Sequence, residues 1–182
     1  MDGPAPRVAA PADSDLTRAV RQAGEMLDHG DALGALDRLR EIPVERLDPA
    51  GLWVAGRAHL ELGDHETART HLERAALADP DRTDFWSALA RAHRRVGDAR
   101  LAYRAAHRAL RADLESSGAW TELGLALLDL RRADEALAAL EQAVALNPGE
   151  LDAWNASGLI HLQREDFAQA RQALERASSA AD

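Results

Sequence analysis

The sequence repeats itself with a period of 34 residues. Shifted by that amount, Trp86, Trp120 and Trp154 fall in one column, and Leu52 joins them one period earlier. Four residues past each stands a small residue: Gly56, Ala90, Gly124 and Gly158. Later columns hold Ala68, Ala102, Ala136 and Ala170, then Leu72, Ala106, Leu140 and Leu174, then Ala75, Ala109, Ala143 and Ala177. A unit of this length is one supersecondary element. It cannot bury its apolar face alone, so it must stack on copies of itself.

The spacing inside the unit predicts two helices. In the first half, the Trp column and the residues three, four and seven later share one helix face. In the second half, small residues recur at intervals of three and four, which lets two helix axes approach closely. The Trp fills the gap that remains and buries about 150–250 Å². Gly30-Asp31, Gly63-Asp64 and Gly97-Asp98 fall between the halves, where Gly can take the left-handed cap conformation. Asp79-Pro80 and Asn147-Pro148 end second helices, because Pro disfavours helix in the residue before it. Two units depart from this pattern. Arg131-Arg132 replace Gly-Asp, so that turn needs another cap. Leu114 replaces Pro, so the second helix of 83–116 is expected to run on to Ser116 or Ser117.

The stretch AWTELGLALLDLRRADEALAALEQAVALNP, residues 119–148, carries Trp120, Leu123, Gly124, Ala136, Leu140, Ala143 and Pro148. In that order and spacing it resembles the tetratricopeptide repeat. The resemblance implies an all-α, right-handed α-solenoid of about five helix-turn-helix repeats, at about 15–48, 49–82, 83–116, 117–150 and 151–182, behind a disordered tail at 1–14. Ser178 stands where Leu110 and Val144 stand in earlier units, and a polar residue there suits a chain end with no next repeat to cover it. No dedicated capping helix follows, so self-association through that end is one expectation.

Composition narrows the function. Apolar residues make up 46% of the 182, but aromatics only 4%, so the core is built from Ala and Leu. The net charge of -9 repels phosphate backbones and makes nucleic acid an unlikely partner. With no Cys, disulfides and thiolate metal sites are excluded. No apolar run approaches the roughly 18–20 residues of a membrane span. The N-terminal MDGPAPRVAAPADSD is not a secretory signal, so a cytoplasmic protein is expected. All 22 basic residues are Arg, and with the abundant Ala this points to a GC-rich bacterial genome. There is no Gly-rich phosphate loop, no H-E-x-x-H and no nucleophile elbow, so neither an enzyme nor a cofactor is expected. His59, His93 and His161 share a column, but stacked repeats hold them about 10 Å apart. A shared metal would need ligands at about 2.0–2.1 Å, so core packing is the expected role.

The resemblance also implies that first helices line an inner groove where partners bind. Its groove-facing columns are Trp53, Arg57, Leu60 and Glu61, then Asp84, Ser87, Arg91, Arg94 and Arg95. They continue with Thr121, Glu122, Leu125, Leu128 and Asp129, then Asp152, Asn155, Leu159, Leu162 and Gln163. The candidate binding residues form a cationic half (Arg57, Arg91, Arg94, Arg95, with Trp53 beside it) and an apolar half (Leu125, Leu128, Leu159, Leu162). A peptide or helix with acidic residues at one end and aliphatic ones at the other would fit. Against that stands pairing of these Arg residues with neighbouring Glu and Asp. Trp53 sits one place after the Trp column, either as core or as a groove anchor. Chaperone-binding relatives clamp an acidic tail with Lys and Asn; this chain has no Lys, and Asn155 is its only groove Asn, so that partner is not expected. The alternatives to an adaptor are an assembly unit that binds its own copy and an accessory subunit of an enzyme. A second stripe, Arg100, Arg104, Arg108 and Arg111, falls on one face of a second helix and reads first as a solvated outer face, and second as a surface for nucleic acid or an acidic partner.

Overall fold

The computed structural model describes residues 13–181. Among them are ten α-helices: α1 Asp13–Asp28, α2 Ala32–Leu39, α3 Pro49–Glu61, α4 His65–Ala78, α5 Thr83–Val96, α6 Ala99–Ala112, α7 Ser117–Asp129, α8 Ala133–Leu146, α9 Leu151–Gln163 and α10 Phe167–Ala181. A single 3₁₀ turn, Val44–Arg46, precedes α3. The expected tail at 1–14 lies outside the described residues except for its last two, which begin α1.

Each hairpin closes as the spacing requires. Gly30, Gly63 and Gly97 take φ of 80°, 80° and 96°. The Asp after two of them caps the next helix: Asp31 accepts from the Gly34 N–H at 2.8 Å and Asp64 from the Thr67 N–H at 3.3 Å. Arg131 makes the same left-handed cap with φ 63°, so the Arg-Arg turn keeps the geometry without the glycine. The α6 expectation is corrected: the helix stops at Ala112 and does not reach Ser116. Asp113 leaves helical geometry, its carboxylate accepts from the Glu115 N–H at 2.9 Å, and Ser116 caps α7 instead.

The chain is a right-handed α-solenoid of stacked helical hairpins. Successive first helices pack on one another (α3 on α5, α5 on α7, α7 on α9), whereas successive second helices have no comparable contact. The stack therefore curves toward its first helices, which form the concave wall. One buried cluster runs from Leu52 through Leu72, Trp86, Leu89, Leu123 and Leu140 to Ile160. A second joins α1 and α2 to Val54, Ala55 and Ala58, so α3 serves both. The Trp column does more than fill space. The indole N–H of Trp86 donates to Pro80 O at 2.8 Å, that of Trp120 to Leu114 O at 2.9 Å, and that of Trp154 to Pro148 O at 2.9 Å. Each ring thus ties down the turn that leads into its own unit.

Candidate functional site

The concave wall holds two hollows. One first-helix hollow, about 560 Å³, is lined by Trp53, Arg57 and Leu60 from α3, Ser87 and Arg91 from α5, and Gly118 and Glu122 from α7. Asp81, Asp84 and Asp113 form its acidic rim. A second, about 590 Å³, is lined by Arg94, Leu128, Asp129, Leu159 and Gln163 at the far ends of the first helices. The candidates Trp53, Arg57 and Arg91 thus meet in one hollow, and Arg94, Leu128 and Leu159 in the other. Arg95, Leu125 and Leu162 line neither.

The arginines are mostly paired. Arg57 reaches Asp28 at 3.3 Å. Arg91 Nε donates to Glu122 at 2.7 Å, and Arg94 donates to Asp129 at 2.8 Å while standing 3.5 Å from the other Glu122 oxygen. Glu122 is only 2% exposed, and Thr121 is also buried, its hydroxyl donating to Ser117 O at 3.0 Å. Thr121 is thus removed from the groove surface on which its column placed it, and Glu122 lines the hollow only as a buried carboxylate beneath Arg91. The half expected to be cationic is therefore an ion-pair network stitched across two units, with acidic residues on its rim. Arg95 alone of the four is exposed with no ion pair among the described residues. Glu122 pushes the Arg91 guanidinium above its usual value, chiefly by direct attraction. The Arg91 side chain is still 53% exposed, and only its Nε is committed to Glu122, which leaves its terminal N–H groups facing the hollow.

Trp53 is half-buried and lies at the groove wall, its ring 5.7 Å from Phe85 and under the Arg57 guanidinium at 4.7 Å. Its indole N–H is buried without a hydrogen bond, unlike those of the three column tryptophans. One place of displacement in sequence separates the two behaviours. At the other end of the wall, Leu159 is 56% and Leu162 42% exposed, while Leu125 and Leu128 pack partly against the core.

The histidine column is a packing feature. His93 is buried. His59 stands 3.3 Å from Asp64 and stacks on His71 at 5.5 Å, and His161 is 3.7 Å from Asp166. Among the described residues no three His, Asp or Glu come together as metal ligands.

Stacked hairpins with an open, first-helix-lined inner wall define an α-solenoid. A tetratricopeptide repeat model matches residues 87–149 and 121–182, and a second matches 49–92. The chain belongs to the tetratricopeptide repeat family. Among solved structures it is similar to MamA from Desulfovibrio magneticus RS-1, from residue 41 to the end, at 22% identity and a TM-score of 0.72, covering 94% of this chain and 97% of that one. A second MamA crystal structure gives 19% identity and a TM-score of 0.69, with 87% and 93% covered. No curated protein matches.

Proposed function

We propose that the chain is a non-catalytic scaffold that seats a peptide or short helix of a partner protein along its concave wall. The family supports a protein-interaction role, and one observation carries the groove reading: solvent-facing leucines at one end of the wall and an open hollow beside Trp53 at the other. Leu159 and Leu162 take aliphatic side chains of the partner. An acidic residue of the partner pairs with Arg95 or with the terminal N–H groups of Arg91. Trp53 is the anchor at the opposite end.

The pairings decide which variants test this reading. Arg91→Glu would set a second carboxylate against buried Glu122, so loss of binding would be mixed with loss of fold. Leu159→Asp with Leu162→Asp, and separately Arg95→Glu, change exposed side chains only. Partners captured by the wild-type chain and identified by mass spectrometry should be lost from both variants, with far-UV circular dichroism unchanged. Full retention by both would reject the concave wall.

Self-association is the second reading. Leu72 and Leu140 are fully buried, whereas Leu174 in the same column is 37% exposed, and Phe167 at the start of α10 is exposed too. A second copy covering that face would show as a concentration-dependent mass in light scattering that Phe167→Asp abolishes. A constant monomer mass would reject it.

No helix among the described residues is long and apolar enough to cross a membrane.

A further inference from the structure

The convex side carries a charged patch separate from the groove. Arg100, Arg104, Arg108 and Arg111 project from one face of α6, and all four are exposed. None makes an ion pair or hydrogen bond among the described residues, although Arg57, Arg82, Arg91 and Arg94 on the other side are all paired. Like charges one turn apart repel and destabilise a helix. This strip therefore lacks the counter-charge that Arg57, Arg82, Arg91 and Arg94 find within the molecule.

The surroundings of the strip say what kind of counter-charge fits. Arg108 lies over the Trp86 ring at 4.9 Å, which fixes its guanidinium in place. A hollow of about 230 Å³ opens between α4 and α6, floored by Trp86, Leu89 and Ala105 and walled by Leu77, Leu101 and Arg104. Leu77 and Leu101 are exposed beside it. Cationic and aliphatic surface thus run side by side along the furrow between two second helices. A phosphate backbone would use the arginines and leave the leucines wet, and the net charge of -9 opposes it at longer range. A helix with an acidic stripe next to an aliphatic one uses both. Glu73 and Asp81 line the hollows on either side of Arg108 without pairing to the strip. Glu73 lies on the α4 side, so the acidic stripe of the partner turns toward α6 and its aliphatic stripe toward α4.

We propose that the α4–α6 furrow is a second docking surface, for an acidic amphipathic helix, on the face opposite the groove. Carboxylates one turn apart pair with Arg100, Arg104 and Arg108, and leucine-sized side chains fill the hollow above Trp86.

A designed peptide tests this directly. It has about 18 residues, long enough to span the strip as a helix, with Glu in one stripe and Leu in the next. It is labelled and titrated by fluorescence anisotropy beside a scrambled peptide of the same composition and a duplex DNA. The amphipathic peptide should bind the wild-type chain, more weakly as salt rises. Arg104→Glu with Arg108→Glu should weaken it by about tenfold or more, as should Arg100→Glu with Arg104→Glu, which leaves the Trp86 stack intact. Leu77→Asp should weaken it as well, while Leu159→Asp on the concave wall leaves it unchanged, so this surface and the groove succeed or fail separately. Circular dichroism confirms that each variant is folded. Absence of binding, equal binding of the scramble, tighter binding of the duplex, or indifference to the α6 variants would each overturn the assignment.

Discussion

At the scale of single residues, the units trade volume between columns. A Cβ on Gly124 would stand 2.6 Å from Leu140 Cγ and 3.2 Å from Ala136 O. Gly56 faces Leu72 in the same way, and Gly158 faces Leu174. The 83–116 unit has Ala90 and Ala106 at these two places, both fully buried. The methyl gained on one helix is matched by the side chain lost from the other. Gly124→Ala should therefore cost about 1–3 kcal/mol despite the better helix former, and Leu140→Ala alone about 2–5 kcal/mol for its cavity. The double variant should be more stable than the sum of the two by more than about 1 kcal/mol in urea unfolding. Additive losses would show that the two columns pack independently. Histidines give the second prediction at this scale. Burial first, then His59 and Arg74, pushes His71 below its ordinary value against a weaker pull from Asp64. Burial first, then Arg69, does the same to His93 against Asp98 and Glu73. Both stay neutral in the fold while the unfolded chain takes up protons near pH 6.5. Stability is complete above that pH and falls as the pH drops through it. Leu127 fills the His93 column one unit later, so His93→Leu should shrink the fall in melting temperature between about pH 7.5 and 5.5. An unchanged fall would place the titrating group elsewhere.

At the scale of the element, a hairpin depends on one left-handed residue. Gly serves at 30, 63 and 97, but Arg131 and Glu165 take φ of 63° and 62° with a side chain attached. A Cβ in that region is strained, while Gly there costs only chain entropy on folding. Arg131→Gly and Glu165→Gly should each raise stability by about 0.5–1 kcal/mol, read as a higher urea midpoint with an unchanged slope. No shift would mean that the side chains recover the strain locally. These turns also mark how far sequence alone reaches. Gly-Asp between two apolar patterns has a single physical reading, so the helix ends at 62–64 and 96–98 are legible. Arg-Arg is not a cap by composition, because its geometry is imposed by two helices that pack whatever joins them. The end of α6 escapes for the opposite reason. Without Pro nothing in 112–116 forbids more helix, and only the Asp113 turn and the Ser116 cap, each better satisfied outside the helix, stop it at Ala112. The groove is legible as a set of columns. Its charge is not, since the partners of Arg91 and Arg94 lie some thirty residues away, at an offset set by superhelical stacking rather than by any local pattern.

At the scale of the whole molecule, substantial contacts join helices one or two places apart along the chain and no farther. Stability in such a stack is a sum of units and the interfaces between neighbours, so each interface is a place where the array can divide. Ion pairs cross several of these boundaries: Asp28 with Arg57, Arg91 with Glu122, and Asp134 with Arg164. The first and last are open to solvent and contribute little each, whereas Glu122 is buried beneath Arg91. Apolar burial carries the coupling, and between the 49–82 and 83–116 units it centres on Trp86. That ring sits in the main cluster with Leu72 and Ala76, donates to Pro80 O in the turn between the units, and supports Arg108 on the convex side. Trp86→Ala removes all three links at once and should cost about 3–5 kcal/mol. The loss should not shift the whole transition evenly. Urea unfolding should separate into two steps, and amide exchange should quicken through α3–α5 while α7–α9 keep their protection. A single transition moved to lower urea, with exchange faster by the same factor in every helix, would show instead that the five hairpins unfold as one unit whichever interface is weakened.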